Sequence, residues 1–202
     1  MKEKIRVGIF GGTFNPPHIA HVNAAECFLG AARLDSLLII PALVPPHKEY
    51  SGTVTPNDRL EMCRLAFSDL RGTEISDIEI SRGGRSYTVL TLSELKRDDN
   101  ELFLLCGTDM FLTLDSWYMP EKIFELATVC YIRRENDSDT ASKIEKKIEK
   151  YKQKFNARIL PVSTPAIELS STQIRAQLKA GDPSELLHPA VYEYIREKGL
   201  YK

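Results

Sequence analysis

The sequence predicts an α/β domain: a mostly parallel sheet covered by helices on both faces, with a small helical region at the carboxyl end. Three observations carry this. Six short β-branched or Leu-rich runs recur along the 202 residues, helix-like segments lie between most of them, and the last stretch of chain reads as helix.

The runs are IRVGIF (5–10), SLLIIPA (36–42), TEISDIEI (73–80), LFLLC (102–106), TVCYIR (128–133) and ARILPV (157–162). Helices are expected at HVNAAECFLGAAR (21–33), PNDRLEMCRLAFS (56–68) and YTVLTLSELKR (87–97). The segment SKIEKKIEKYKQKF (142–155) places Ile144, Ile148, Tyr151 and Phe155 on one stripe, as in a surface helix docked by one face. Its mixed Lys and Glu argue against a nucleic-acid or membrane role. STPAIELSSTQIRAQLKAG and SELLHPAVYEYIREKGLYK give two more helices with a stop at Gly181, expected to fold over the sheet edge. The expectation is one domain over 1–202, with a core to about residue 165 and a helical region from about 166 to 202.

Hydrophobic residues at 43% and charged residues at 27% exclude a disordered or fibrous class. A net charge of -1 confines any anion site to a local feature and gives no sign of a nucleic-acid partner. Cys27, Cys63, Cys106 and Cys130 form no C-x-x-C pair and read as reduced core thiols. No run approaches the ~18 residues of a membrane span and the N-terminus lacks a signal-peptide core, so a cytoplasmic location is expected.

The most informative stretch is GGTFNPPHIAH (11–21), between the first strand and the first helix. In parallel sheets ligands sit at the carboxyl ends of strands, where this stretch falls. Gly11 and Gly12 let backbone approach a ligand, and Pro16 and Pro17 stiffen the lead into the helix. The result is an anion seat at the positive end of a helix dipole. His18 and His21 project on one side of the first turn, where each imidazole can donate to a phosphate and become cationic beside it. One capping and one half-buried histidine is the structural alternative. A zinc site lacks a third ligand nearby.

GGTFNPPHIAH resembles the G-G-T-F-D-P-x-H-x-G-H signature of the nucleotidyltransferases with an H-x-G-H motif, and LSSTQIR (169–175) resembles their I-S-S-T-x-I-R motif. With PPHK (45–48), SYT (86–88), GTD (107–109) and SWY (116–118) in order, the chain is similar to the bacterial nicotinate mononucleotide adenylyltransferases over nearly its full length. Asn15 stands where that family has Asp, and Ala20 where it has Gly. Both read as tolerated, because Asn also shapes turns and Ala favours helix.

The resemblance implies a Rossmann-like, doubly wound fold and adenylyl transfer from ATP to the 5′-phosphate of nicotinate mononucleotide, yielding nicotinate adenine dinucleotide and pyrophosphate. It implies ATP contacts from Gly11, Gly12, Thr13, Phe14, His18, His21, Ser171, Thr172 and Arg175. Of these His18, His21 and Arg175, with Lys48, are the catalytic set. For the acceptor it implies Lys48, Ser86, Tyr87, Thr88, Gly107, Asp109, Trp117, Tyr118 and Arg134, with Trp117 stacking on the nicotinate ring. Mg²⁺ is implied, held mainly by ATP phosphates, with no protein ligand.

Each residue also has a plain reading: Lys48 a solvated surface lysine, the hydroxyls of Ser170, Ser171 and Thr172 a helix cap before a solvent-facing Arg175, Trp117 a core anchor, Asp109 a cap of the helix MFLTL. Arg133 and Arg134 either approach ATP or pair with Glu135. A homodimer face is open at the Lys/Glu helix or near Phe124, and both have monomeric explanations. Rival functions are a related adenylyltransferase acting on phosphopantetheine, riboflavin phosphate or nicotinamide mononucleotide, and a noncatalytic nucleotide-binding module.

Overall fold

The computed structural model describes residues 3–45, 54–133, 138–165, 167, 169–181 and 183–202. Among the described residues six strands form one sheet: β1 (Ile5–Gly12), β2 (Ser36–Pro41), β3 (Thr73–Ile75), β4 (Asn100–Cys106), β5 (Ala127–Arg133) and β6 (Ile159–Ser163). Their order is β3-β2-β1-β4-β5-β6 and every pairing is parallel. This is a Rossmann-like doubly wound sheet, with its direction of winding reversed between β1 and β4. All six sequence runs contribute a strand.

The strands pair in parallel because both faces of nearly every run are apolar. Phe10, Leu37, Ile39, Phe103, Leu105, Cys130 and Val162 face one side, and Ile9, Ile40, Leu102, Leu104, Cys106, Val129 and Tyr131 face the other. The first side is covered by α1 (Ile19–Ala31) and α2 (Pro56–Ala66), through Ala24, Ala25, Phe28, Met62 and Cys63. The second is covered by α4 (Thr88–Leu95), α5 (Thr108–Thr113), α6 (Pro120–Leu126) and α7 (Ser138–Phe155). Helix α3 (Ile78–Arg82) precedes α4, and α8 (Ser171–Ala180) and α9 (Pro189–Lys198) close the chain. Short 3₁₀ turns occupy Leu114–Ser116 and Ser184–Leu186.

Local chemistry sets the helix ends. Thr55 caps α2, its hydroxyl accepting from Asp58 N at 3.1 Å while Asp58 Oδ2 accepts from Thr55 N at 2.9 Å, and Pro56 takes the first helical position. The stripe of α7 docks as expected, Ile144 and Tyr151 buried and Ile148 and Phe155 half-buried. Three thiols, Cys63, Cys106 and Cys130, are buried and unpaired, and Cys27 is free and half-buried.

Two expectations are corrected. The run 73–80 is strand only to Ile75, and α3 begins three residues later. Polar side chains end the strand: Ser76 Oγ accepts from Ile78 N at 3.3 Å, and Asp77 accepts from Ser81 through both carbonyl and carboxylate at 2.8 Å. Buried Glu79 then accepts from Thr91 Oγ1 at 2.7 Å, tying α3 to α4. The helical tail does not simply cap the sheet edge. Helix α9 packs on α2, Tyr194 hydroxyl donates to Asp58 at 2.9 Å, and Ile174, Leu187, Val191, Ile195 and Tyr201 join the α1–α2 core.

Candidate active site

At the carboxyl end of β1, Gly12 pairs with Pro41 of β2 and its carbonyl accepts from Ala42 N at 2.9 Å. The two glycines there have different reasons. A Cβ on Gly12 would come within 3.0 Å of the Phe14 ring, which tucks beneath it at 2% exposure. Gly11 is exposed, and its nearest contact would be Ile40 O at 3.9 Å, so packing does not demand glycine there and its open face is free for a ligand. Phe14 adopts φ 48°, a costly conformation for a bulky residue, held by its burial against Phe10, Phe67 and His21.

The Asn15–Pro16 peptide is cis, and His18 follows as the residue that caps α1. The His18 and His21 rings lie face to face, 3.8 Å apart at 33°. His18 N donates to His21 Nδ1 at 3.2 Å. Accepting at Nδ1 leaves the His21 proton on Nε2, a fixed donor suited to a phosphate oxygen. His18 is 4% exposed, and its Nδ1 has no hydrogen-bond partner among the described residues. Burial lowers its pKa to about 4, so at neutral pH the free protein holds this imidazole uncharged. It would become cationic only with an anion beside it.

The second motif reaches the same loop. Ser170 caps α8, accepting from Gln173 N at 3.3 Å, as the plain reading of LSSTQIR expects. Arg175 is not merely solvent-facing: one guanidinium nitrogen donates to Asn15 O at 2.8 Å and another to Thr172 Oγ1 at 3.0 Å. Ser171 Oγ donates to Pro16 O at 2.9 Å. Tyr201, near the chain's end, hydrogen-bonds Asn15 Oδ1, which gives this departure from the family signature a partner.

A residue not singled out in the sequence joins the two sides of the site. Arg59, fully buried on α2, donates to Thr13 O at 2.8 Å and Leu43 O at 3.3 Å. Leu43 N in turn donates to Ser86 Oγ at 2.9 Å, and Ser86 N to Val44 O at 3.0 Å. A continuous set of bonds therefore runs from the loop after β1 through Arg59 to Ser86. The available signal was spacing: Arg59 shares the inward stripe of α2 with Met62, Cys63 and Ala66.

Of the residues expected to meet an acceptor, Tyr87 immediately precedes α4, its ring 4.7 Å from that of Tyr118, and Thr88 opens the helix. Trp117 is half-buried against the α4–α7 core, so it both anchors and leaves a part accessible. Gly107, not Asp109, is the residue that caps α5. Thr108 Oγ1 donates to Ile132 O at 2.8 Å, holding α5 to β5, while Asp109 is exposed in the first turn. Lys48, Arg134 and Glu135 lie outside the described residues, as does the side chain of Arg133.

Two cavities lie elsewhere. One of about 430 Å³ sits at the amino ends of β1, β4 and β5, lined by Arg6, Leu102 and Thr128, and one of about 450 Å³ lies between the end of α8 and the 3₁₀ turn Ser184–Leu186, near Gly181. Chemistry outranks volume here, because the carboxyl ends of the strands carry the paired imidazoles, the open glycine and the helix starts.

The cytidylyltransferase-like family matches residues 9–177. A protein of Desulfatibacillum aliphaticivorans named probable nicotinate-nucleotide adenylyltransferase is 36% identical, covering 98% of this chain and all of its own length. A protein of the same name from Caldicellulosiruptor saccharolyticus is 34% identical with the same coverage. The solved nicotinic acid mononucleotide adenylyltransferase of Plasmodium falciparum in complex with NaAD superposes with a TM-score of 0.75 at 18% identity, covering 98% of this chain and 97% of that one. That structure shares the fold. With identity above 30% along the whole chain, the protein belongs to the nicotinate-nucleotide adenylyltransferases, within the cytidylyltransferase-like family.

Proposed function

We propose that the protein transfers the adenylyl group of ATP to the 5′-phosphate of nicotinate mononucleotide, releasing pyrophosphate and forming nicotinate adenine dinucleotide for NAD synthesis. The observation that carries this reading is the meeting of two motifs: Arg175 and Ser171 of α8 bind the backbone of the loop that bears His18 and His21. Relatives at 34–36% identity carry the corresponding name.

In the reaction an anionic oxygen of the acceptor phosphate attacks the α-phosphorus of ATP in line, and the bond to the bridging oxygen of pyrophosphate breaks. No protein nucleophile is required. The protein must hold two repelling anions and stabilise charge that shifts onto the leaving group. Gly11, Gly12, Thr13 and Phe14 form the loop that seats the triphosphate. His21, donating from Nε2, meets the transferred group, and His18 gains a proton as phosphate charge approaches it. Arg175, with Ser171 and Thr172, receives the β- and γ-phosphates at the start of α8. Lys48 and Arg134 supply charge near the acceptor. Ser86, Tyr87, Thr88, Gly107, Asp109 and Tyr118 line its pocket, and Trp117 offers a face to its ring.

The divalent cation of this chemistry is Mg²⁺, arriving on the ATP phosphates. Such an ion is held mainly by phosphate oxygens and water, so the protein's part is to seat the phosphates that carry it. The whole of 1–202 acts as one catalytic unit, the region from about 166 supplying Ser171 and Arg175 to the core. No described helix is long and apolar enough to cross a membrane, and the free thiols suit a cytoplasmic enzyme.

Pyrophosphate release from ATP with nicotinate mononucleotide tests the reading. Turnover with that acceptor well above turnover with nicotinamide mononucleotide is the expected result. Equal turnover would favour a broader acceptor range. ATP binding without product from any mononucleotide would make the protein a binding module.

A further inference from the structure

Helix α7 carries none of the residues proposed for the site, yet its side chains reach the turn before Trp117 through one carboxylate. Asp115 lies in the 3₁₀ turn Leu114–Ser116, which ends at Trp117, whose N–H donates to Leu114 O at 3.2 Å. Lys147 Nζ donates to Asp115 Oδ1 at 2.6 Å and Lys150 Nζ to Oδ2 at 2.7 Å. The Tyr151 hydroxyl lies 2.8 Å from Phe111 O and 3.1 Å from Asp115 Oδ1, one proton shared between two acceptors. The Asp115 side chain is only 14% exposed. Burial alone would raise its pKa, but the hydrogen bonds from Lys147, Lys150 and Tyr151 outweigh burial and hold the carboxyl well below the usual range.

A surface helix needs only its apolar stripe to dock. Here two lysines one turn apart grip the two oxygens of a single carboxylate, a directional constraint that apolar packing does not supply. Beyond Trp117 the half-exposed Tyr118 ring lies 4.7 Å from that of Tyr87. Trp117, itself half-buried against the core, therefore lies between two tied neighbours, one held by α7 and one in contact with the SYT segment.

We propose that Asp115 is a positioning residue: clamped by Lys147, Lys150 and Tyr151, it fixes the 3₁₀ turn and thereby sets how Trp117 meets the nicotinate ring of the acceptor. This rests on the acceptor reading of Trp117. The Lys/Glu helix, on this account, is the buttress of the acceptor pocket.

Trp117 is the only tryptophan, so its emission reports directly on the turn. The test compares the full-length protein with Asp115→Asn, with the pair Lys147→Ala and Lys150→Ala, and with Lys146→Ala, an exposed lysine outside the clamp. Asp115→Asn and the double lysine variant should each shift Trp117 emission and raise KM for nicotinate mononucleotide about tenfold, leaving KM for ATP within about twofold. Lys146→Ala should change neither. Unchanged emission in both clamp variants, or parallel losses toward ATP and acceptor, overturns the proposal. Trp117→Ala separates the two ways of failing. If it leaves the acceptor KM unchanged, the acceptor reading of Trp117 has failed. If it raises that KM while the clamp variants do not, the clamp itself has failed.

Discussion

At the scale of single residues, the paired imidazoles divide their work through burial and hydrogen bonding. His21 keeps a proton on Nε2 because its Nδ1 accepts from His18 N. In the proposed reaction its donor acts mainly as charge develops on the transferred phosphate, so His21→Ala should lower kcat by ~10²-fold or more with a smaller change in ATP affinity, read by steady-state rates and nucleotide titration. His18 offers a different readout. Its folded pKa of about 4 lies below its ordinary 6.5, so between those values the unfolded chain binds a proton that the folded protein excludes. Stability is thus complete above pH 6.5 and is lost as pH falls through this window, by about 2 kcal/mol at pH 5. Urea midpoints at the two pH values measure the loss, and His18→Gln should flatten it. The histidine pair was legible in the sequence because three-residue spacing is a local property of a helical turn. The uncharged state of His18 was not, because burial depends on what the rest of the chain places over it.

At the scale of elements, α2 is more than a cover for the sheet. Arg59 holds Thr13 O and Leu43 O together, and with them the loops following β1 and β2. Arg59→Met keeps much of the volume but strands two carbonyls, so thermal or urea unfolding should show a loss of about 2–4 kcal/mol. The same variant should weaken ATP and acceptor binding together, since both loops lose their tie. A loss below about 0.5 kcal/mol would place Arg59 outside this role. Its position on the inward stripe could be read from spacing, but the identity of its two acceptors could not. Likewise TEISDIEI has strand composition, and only the partners of Ser76, Asp77 and Glu79 turn its second half into α3.

At the scale of the whole molecule, the carboxyl-terminal region is part of the core as well as the source of the residues proposed to receive ATP phosphates. Ile174, Leu187, Val191, Ile195 and Tyr201 complete the core on the side of α1 and α2, and Tyr194 and Tyr201 reach Asp58 and Asn15. A chain ending after residue 165 should therefore lose cooperative unfolding and expose apolar surface to hydrophobic dyes. A sharp transition close to that of the full chain would show that the helical region is instead a separable unit.

Composition, the alternation of apolar runs with helical segments, and the ordered motifs determined the fold class, the family and most of the residues proposed for the site. The fold class follows from local sterics and periodicity, whereas the family and the site residues follow from the resemblance of the ordered motifs. Tertiary structure alone decided which groups meet: Arg175 with Asn15, 160 positions apart; Arg59 with Thr13, 46 apart; Lys147 with Asp115, 32 apart. Hydrogen bonds and charge act over a few ångströms in space, so their partners follow from strand order and helix packing, which no short stretch of sequence contains.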